Sequence, residues 1–139
     1  MKHQEQTLLA FDYGKKKIGV AVGQTLTRTS TPLTTITAKH KVPDWNAINS
    51  LITQWKPDAF VVGLPLNMDG TEQEITIHAK RFANQLQGRY GIPVHTSDER
   101  LSTREAYDRL IQHGLASTPD SIAAQIILED WLTQNETKL

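Results

Sequence analysis

The chain has 139 residues, no cysteine, and equal numbers of basic and acidic residues, 15 of each. The lack of cysteine excludes disulfides and thiolate metal sites, so any bound metal must use oxygen or imidazole ligands. Hydrophobic residues make up 38% and charged residues 22%, which is typical of a single globular domain spanning residues 1–139. Apolar runs are far shorter than the roughly 20 residues that span a bilayer, and no signal-peptide pattern follows Met1; we therefore expect a soluble cytoplasmic protein without membrane contact.

The first part of the chain predicts three strands. Residues 8–11 are an apolar run that ends on Asp12, Gly14 marks a tight turn, and a second apolar run follows over residues 18–22. This pattern predicts a β-hairpin that carries Asp12 at the end of its first strand. Residues 34–38 have the β-branched content of a third strand, whereas the polar residues 27–31, which stop at Pro32, indicate a loop.

Helices and strands then alternate. A helical pattern opens at Pro43-Asp44 and closes at Pro57-Asp58, and residues 59–64 are suited to a buried parallel strand. A turn-rich loop over residues 65–71 leads into a second helix that is expected to end near Gly88. Residues 92–96 predict a short strand.

The C-terminal part predicts two more helices. Ser102 and Glu105 form a capping box for one helix, which Gly114 ends. The last helix starts at Ser117-Thr118-Pro119, and residues 134–139 are expected to fray. Its inner face is predicted to consist of Ala123, Ala124, Ile127, Leu128 and Trp131. The whole order predicts an α/β fold, with a mixed sheet covered by helices.

Three acidic residues stand at the ends of predicted elements, where packing does not require them. Asp12 ends the first strand, Glu99 lies just past the last strand, and Asp120 lies in the first turn of the last helix. Carboxylates that converge repel one another unless a cation intervenes, so their convergence would imply Mg²⁺ or Mn²⁺. Two such ions about 4 Å apart can activate water and stabilise the leaving oxygen in phosphodiester cleavage.

Each of these residues also has a structural explanation. Asp12 beside Gly14 can start a turn, Glu99 can form a solvated pair with Asp98, and Asp120 can complement a helix dipole. Only the conjunction of the three acids favours chemistry over these alternatives.

Other polar positions allow two interpretations as well. Backbone amides in the loop after Gly63, together with Asn67 and Thr71, can receive phosphate, although the spacing is not that of a P-loop. Asp69 is better explained as a turn residue. His95 can act as a proton shuttle or can be a partly buried strand residue. The short basic clusters, at residues 15–17, at 39 and 41, and at 100 and 104, are either solvated loop tips or phosphate contacts.

Four blocks of this sequence resemble, in order, the signature blocks of a known family. They are DYGKKKIGVAV at residues 12–22, VVGLPLNMDGTE at 61–72, DERLST at 98–103 and DSIAAQIIL at 120–128. The resemblance is to the YqgF (RuvX) family of bacterial ribonuclease-H-like proteins, also described as Holliday junction resolvases. It extends over nearly the whole chain.

The resemblance implies a ribonuclease-H-like fold: a five-stranded mixed sheet, its first three strands antiparallel, flanked by helices. It also implies a nuclease that uses one or two Mg²⁺ or Mn²⁺ ions, with Asp12, Glu99 and Asp120 as the acidic triad. The implied substrate is RNA rather than DNA, in 5′-end processing of pre-16S rRNA, with association with ribosome precursors. The residues expected to contact the nucleic acid are Lys16, Lys17, Asn67 and Arg100.

Two departures distinguish this chain from the related RuvC-type resolvases, and they count against junction cleavage more than against the fold. Those enzymes carry an acid at the end of the fourth strand, where this chain has Gly63-Leu64-Pro65, so Glu99 must supply the missing carboxylate. They also begin the last helix with a pair of acids, where this chain has Asp120. Cleavage of branched DNA, which would need a homodimer rather than a monomer, is the first alternative. A non-catalytic nucleic-acid-binding module is the second, and an actin-like ATPase, which needs two such domains, is the third.

Overall fold

The computed structural model describes residues 6–40, 42–67, 69–99 and 119–135, with Glu99 and Pro119 described by their backbone alone. Within these residues the chain forms six strands and three helices. No helix in these ranges is long and apolar enough to cross a membrane. In chain order the elements are β1 (Thr7–Tyr13), β2 (Lys17–Gln24), β3 (Thr29–Lys39), β4 (Val42–Pro43), α1 (Trp45–Trp55), β5 (Ala59–Pro65), α2 (Glu74–Tyr90), β6 (Val94–Glu99) and α3 (Pro119–Gln134).

The strands form one mixed sheet in the order β4-β3-β2-β1-β5-β6. β1, β2 and β3 are antiparallel, whereas β5 and β6 run parallel to β1. The predicted α/β fold with three antiparallel strands first is therefore confirmed. The described residues contain one strand more than the five predicted, because the two-residue β4 pairs with the end of β3. So short a segment carries no periodic pattern by which a sequence could reveal it.

The predicted loop over residues 27–31 is wrong beyond Arg28. β3 already begins at Thr29, which pairs with Gln24 of β2. The register shifts between Val20 and Ala21, so that Leu33 has no partner residue on β2. A proline is tolerated in a strand beside such a bulge, where the hydrogen-bond ladder is already interrupted, and this explains why Pro32 does not end β3.

Helix boundaries follow their caps. The Oδ1 of Asp44 accepts a hydrogen bond from the Ala47 backbone N–H at 3.2 Å, which confirms the predicted start of α1. The second helix ends near Gly88, as predicted: α2 continues two residues further, to Tyr90, and is capped by Gly91, whose φ of 64° is the left-handed conformation that favours glycine at this position.

The last strand is longer than predicted. β6 begins at Val94 and includes Ser97, Asp98 and Glu99, so Glu99 is its final residue and does not lie past the strand. Pairing with the whole length of β5, from Phe60↔Val94 to Pro65↔Glu99, accounts for the extension. α3 begins at Pro119, as predicted. The predicted helix from Ser102 to Gly114, Arg100 and the tail beyond residue 135 lie outside the described residues.

Two apolar layers cover the sheet. On one face, Leu9, Phe11 and Val62 pack with Ile48 of α1 and Phe82 of α2. On the other face, the alternate strand residues pack with α3. This second cluster contains Leu8, Ala10, Ala59, Val61, Ile127, Leu128, Trp131 and Leu132. Side chains alternate between the faces along each strand, so even-numbered residues of β1 lie on the α3 face.

Helix α3 lies unusually close to the sheet because glycines lie beneath it. A Cβ atom on Gly19 would stand 1.9 Å from the backbone oxygen of Asp120, and one on Gly23 would stand 2.6 Å from Cδ2 of Leu128. On β5, a Cβ atom on Gly63 would stand 2.4 Å from Cδ1 of Ile127. The contact at Gly19 is with backbone, which cannot move aside as a side chain can. Gly19 therefore sets where the first turn of α3 lies.

We expect Gly19→Ala to lower the free energy of unfolding by about 3 kcal/mol or more, the upper end of overpacking effects. The added methyl group must displace the first turn of α3. Gly88→Ala is the matched control, because nothing lies within 4 Å of a Cβ atom there. In the last turn of α2 that change should stabilise the protein by up to about 1 kcal/mol. Urea denaturation measures both values, and equal stability of the two variants would contradict the close approach.

Candidate active site

Asp12 and Asp120 come together at one end of the sheet. Asp12 lies one residue before the end of β1 and pairs with Gly19 of β2. As an even-numbered residue of β1 it lies on the α3 face, with Leu8 and Ala10. Because the backbone of Asp120 rests on Gly19, the first turn of α3 covers the cross-strand neighbour of Asp12. The two carboxylates thus share one partly buried region.

This environment is unfavourable for an ionised Asp12. Burial, and secondly the negative charge of Asp120, raise the pKa of Asp12 from 3.8 to about 7. Both effects penalise the charged form, which is why the shift is large. Such a pair of carboxylates favours a proton or a cation between them.

The backbone of Glu99 lies at the same end of the sheet. β5 separates β1 from β6, with Phe11 paired with Val62 and Glu99 paired with Pro65. Two strand spacings, about 9.6 Å in total, therefore separate β1 from β6. Among the described side chains, which do not include that of Glu99, no group of three acidic or histidine side chains could hold a metal ion. The structure thus brings Asp12 and Asp120 together, and the role of Glu99 stays a prediction.

The loop after β5 is held by its own polar side chains. The Asn67 amide donates to Oγ1 of Thr71 at 2.9 Å, and Oδ1 of Asp69 accepts from the Thr71 backbone N–H at 2.9 Å. These contacts support the interpretation of Asp69 as a turn residue. They also engage Asn67 within the loop, and its contact with a nucleic acid stays a prediction.

The three lysines of the first turn have different surroundings. Nζ of Lys15 lies 3.2 Å from Oε1 of Glu74, which ties this turn to α2. Lys16 and Lys17 are exposed, and within the described residues their amines make no ion pair. Lys17 lies two residues before Gly19 on β2, so it is on the same face of the sheet as Asp12.

Sequence reasoning missed two features of this region. The first is that Gly19 positions Asp120; the alternation of the small residues Gly19, Ala21 and Gly23 on one face of β2 is a signal that could have predicted a closely packed helix. Ser97 is buried, and its hydroxyl has no partner among the described residues. It is paired with Gly63, the residue level with Asp12, and no sequence pattern distinguishes it from other strand serines.

His95 packs against α3. Its ring stacks on Trp131 with centroids 4.9 Å apart and an interplanar angle of 28°. Desolvation lowers the pKa of His95. These contacts favour the packing role over the proton shuttle that the sequence also allowed.

Comparison with known proteins identifies the family. A family model described as "RuvX: Holliday junction resolvase" matches residues 6–134. The chain belongs to the RuvX family. Curated relatives include a protein of Saccharophagus degradans, 52% identical over 94% of this chain and 95% of its own length, and one of Escherichia coli O7:K1, 53% identical over 92% and 96%. Both carry the name "Putative pre-16S rRNA nuclease".

Solved structures of low sequence identity share the fold of this RuvX protein. RuvC of T. thermophilus, solved in complex with Holliday junction substrate, matches with a TM-score of 0.53 at 13% identity, over 94% of this chain and 96% of that one. A Fowlpox virus resolvase, solved with Holliday junction DNA, matches with a TM-score of 0.53 at 13% identity, over 96% and 99%. These matches confirm the predicted resolvase-like, ribonuclease-H-type fold.

We expect the stability of the metal-free protein to fall as pH rises. Between the unfolded pKa of 3.8 and the folded pKa of about 7, the folded state keeps a proton on Asp12 that the unfolded state has lost. The free energy of unfolding therefore falls between pH 4 and pH 7, by up to about 4 kcal/mol. Asp12→Asn should remove this dependence and be more stable than the wild type at pH 8.

Denaturant unfolding in EDTA at acidic and alkaline pH measures this effect. Asp98→Asn is the control, since Asp98 is an exposed carboxylate on β6, and its pH profile should match that of the wild type. An unchanged pH profile in Asp12→Asn would contradict the burial of Asp12 beside Asp120.

Proposed function

We propose that this RuvX protein is a divalent-metal-dependent nuclease that processes the 5′ end of pre-16S rRNA, with Asp12, Glu99 and Asp120 as its metal ligands. The juxtaposition of Asp12 and Asp120 carries this proposal. Burying two carboxylates together is unfavourable unless a cation or a proton lies between them. Oxygen ligands of this kind suit Mg²⁺ and Mn²⁺.

The three acidic residues would hold the ion from three different elements of the fold. Asp12 and Asp120 supply carboxylate oxygens from a strand end and a helix start, both fixed by the packed sheet, and Glu99 supplies a third from the end of β6. When bound, the ion supplies Lewis acidity toward water and the scissile phosphate. To hold the ion Asp12 would have to be deprotonated, so occupancy of the site would rise with pH through about 7.

Lysine side chains are suited to hold the substrate. Lys16 and Lys17 are exposed, make no ion pair with any described residue and follow closely after the end of β1, and lysine binds phosphate as a point charge. Arg100, the residue that follows β6 in the chain, and Asn67, which follows β5, are proposed as further contacts to the nucleic acid.

The names of the curated relatives support the choice of RNA. At about half identity over nearly the full length, they support pre-16S rRNA as the substrate, and with it action in the cytoplasm on ribosome precursors. The family description favours a second candidate, cleavage of Holliday junctions. That reaction needs two symmetry-related active sites, whereas rRNA processing does not.

We expect the purified protein to cleave pre-16S rRNA with Mn²⁺ or Mg²⁺. Asp12→Asn and Asp120→Asn should each slow cleavage by more than about 100-fold, because each removes a proposed metal ligand. Asp98→Asn is the matched carboxylate control, because Asp98 is an exposed carboxylate on β6. A four-way DNA junction assayed in parallel decides between the two substrates. Equal cleavage by the wild type and Asp12→Asn would identify a contaminating nuclease and contradict the proposal.

Metal binding should also appear in the stability of the protein. We expect Mn²⁺ to raise the melting temperature of the wild type at pH 8 and to have little effect at pH 5, where Asp12 keeps its proton. Asp12→Asn should lose most of the response at pH 8. Thermal denaturation over a series of Mn²⁺ concentrations measures this shift, and a response unchanged in Asp12→Asn would rule out Asp12 as a ligand.

A further inference from the structure

A cationic surface extends from the candidate active site toward the β4 edge of the sheet. It consists of Lys17 on β2, Thr37 and Lys39 on β3, and Val42 on β4, and we call it the β3–β4 ledge. Lys17 pairs with Thr37, and Lys39 pairs with Val42, so the four residues form two adjoining cross-strand pairs. All four are exposed.

The ledge lies on the same face of the sheet as Asp12. Ile36 and Ala38 belong to the apolar cluster on the face of α1 and α2, so the alternate residues Thr37 and Lys39 lie on the α3 face. On β2, the contact of Gly19 with Asp120 assigns Lys17 to the α3 face too. The first turn of α3 thus covers Gly19, while the neighbouring part of this face stays open to solvent.

The lysines of this ledge differ from Lys15 and Lys80 in their ion pairing. Among the described residues, Lys15 is paired with Glu74 and Lys80 with Glu72, whereas Lys17 and Lys39 make no ion pair. A cavity of about 350 Å³ adjoins Lys39, lined by Thr37, Lys39, Val42, Pro43 and Asp44. Asp44, whose carboxylate caps α1, adds a negative charge to this lining but makes no ion pair with Lys39.

We propose that the β3–β4 ledge binds the phosphodiester backbone of the nucleic acid substrate, away from the bond that is cleaved. This inference rests on the proposed nuclease function and extends the substrate contact of Lys17 across β3 to Lys39. Two free amines beside a threonine hydroxyl are the usual donors to phosphate oxygens. Thr35 lies level with Asp12, because Asp12 pairs with Gly19 and Gly19 pairs with Thr35. Lys39 is four residues beyond Thr35 on a strand two spacings from β1, so the Cα atoms of Lys39 and Asp12 are about 16 Å apart. A nucleic acid strand covers this distance in a few nucleotides.

The test measures binding separately from cleavage. In an Asp12→Asn background, fluorescence anisotropy gives the Kd of a labelled RNA carrying the 5′ junction of pre-16S rRNA, over a series of KCl concentrations. Lys39→Gln should weaken binding about 3- to 10-fold and lower the slope of log Kd against log salt by about 0.7–0.9. The double substitution Lys17→Gln and Lys39→Gln should lower the slope about twice as much. Lys39→Arg should keep the slope of the Asp12→Asn parent.

Lys56→Gln is the matched control, because Lys56 is an exposed lysine between α1 and β5, at the opposite end of the sheet. Its Kd and slope should equal those of the parent. An unchanged slope in Lys39→Gln would overturn the ledge proposal even if the wild type cleaves RNA. A reduced slope in Lys39→Gln, together with a wild type that does not cleave, would support the ledge and reject the nuclease function.

In an active protein, Lys39→Gln should raise KM several-fold and change kcat less than twofold, whereas a merely structural role would lower both stability and kcat.

Discussion

The contact between Gly19 and the backbone of Asp120 is the constraint on which the site depends. Any side chain at residue 19 would occupy the position of the Asp120 carbonyl group, so only glycine lets α3 begin directly above β2. Gly23 and Gly63 extend the same close approach along the helix, against Leu128 and Ile127. Backbone proximity, rather than a hydrogen bond or an ion pair, thus determines that an acidic residue of α3 meets the acidic end of β1.

The proximity of Asp12 and Asp120 is electrostatically unfavourable, and the packing of the fold keeps the two residues together. An ionised Asp12 is disfavoured by its burial and by the charge of Asp120. A carboxylate in a loop could turn away toward water, but Asp12 is on β1. This strand pairs antiparallel with β2 and parallel with β5, and apolar layers cover both faces of the sheet. The packed core therefore holds Asp12 in an environment that is unfavourable without a cation. Trading stability for function in this way is common at active sites.

The zero net charge of the chain conceals an uneven distribution of its basic groups. Lys15 and Lys80 are paired with glutamates around α2, where they join elements of the fold. Lys16, Lys17 and Lys39 have no acidic partner within the described residues and lie around the end of the sheet that carries Asp12. The composition excludes a strongly basic protein, yet the tertiary arrangement leaves amines without a described acidic partner at the same end of the sheet as the carboxylates. Local pairing, rather than total charge, decides whether the surface attracts nucleic acid.

The sequence by itself determined those features that depend on neighbouring residues. The Asp44 cap of α1, the buried strand β5, the hairpin that carries Asp12 and the start of α3 at Pro119 all follow from local patterns, and the family blocks predicted the fold. Only the tertiary structure decided the bounds of β3 and β6, because pairing with β2 and β5 extends both strands past the local signals of Pro32 and Ser97. It alone showed that Gly19 admits α3, that Asp12 lies half-buried beside Asp120, and that Lys39 shares their face. Each of these depends on contacts between residues distant in the chain, which local patterns do not encode.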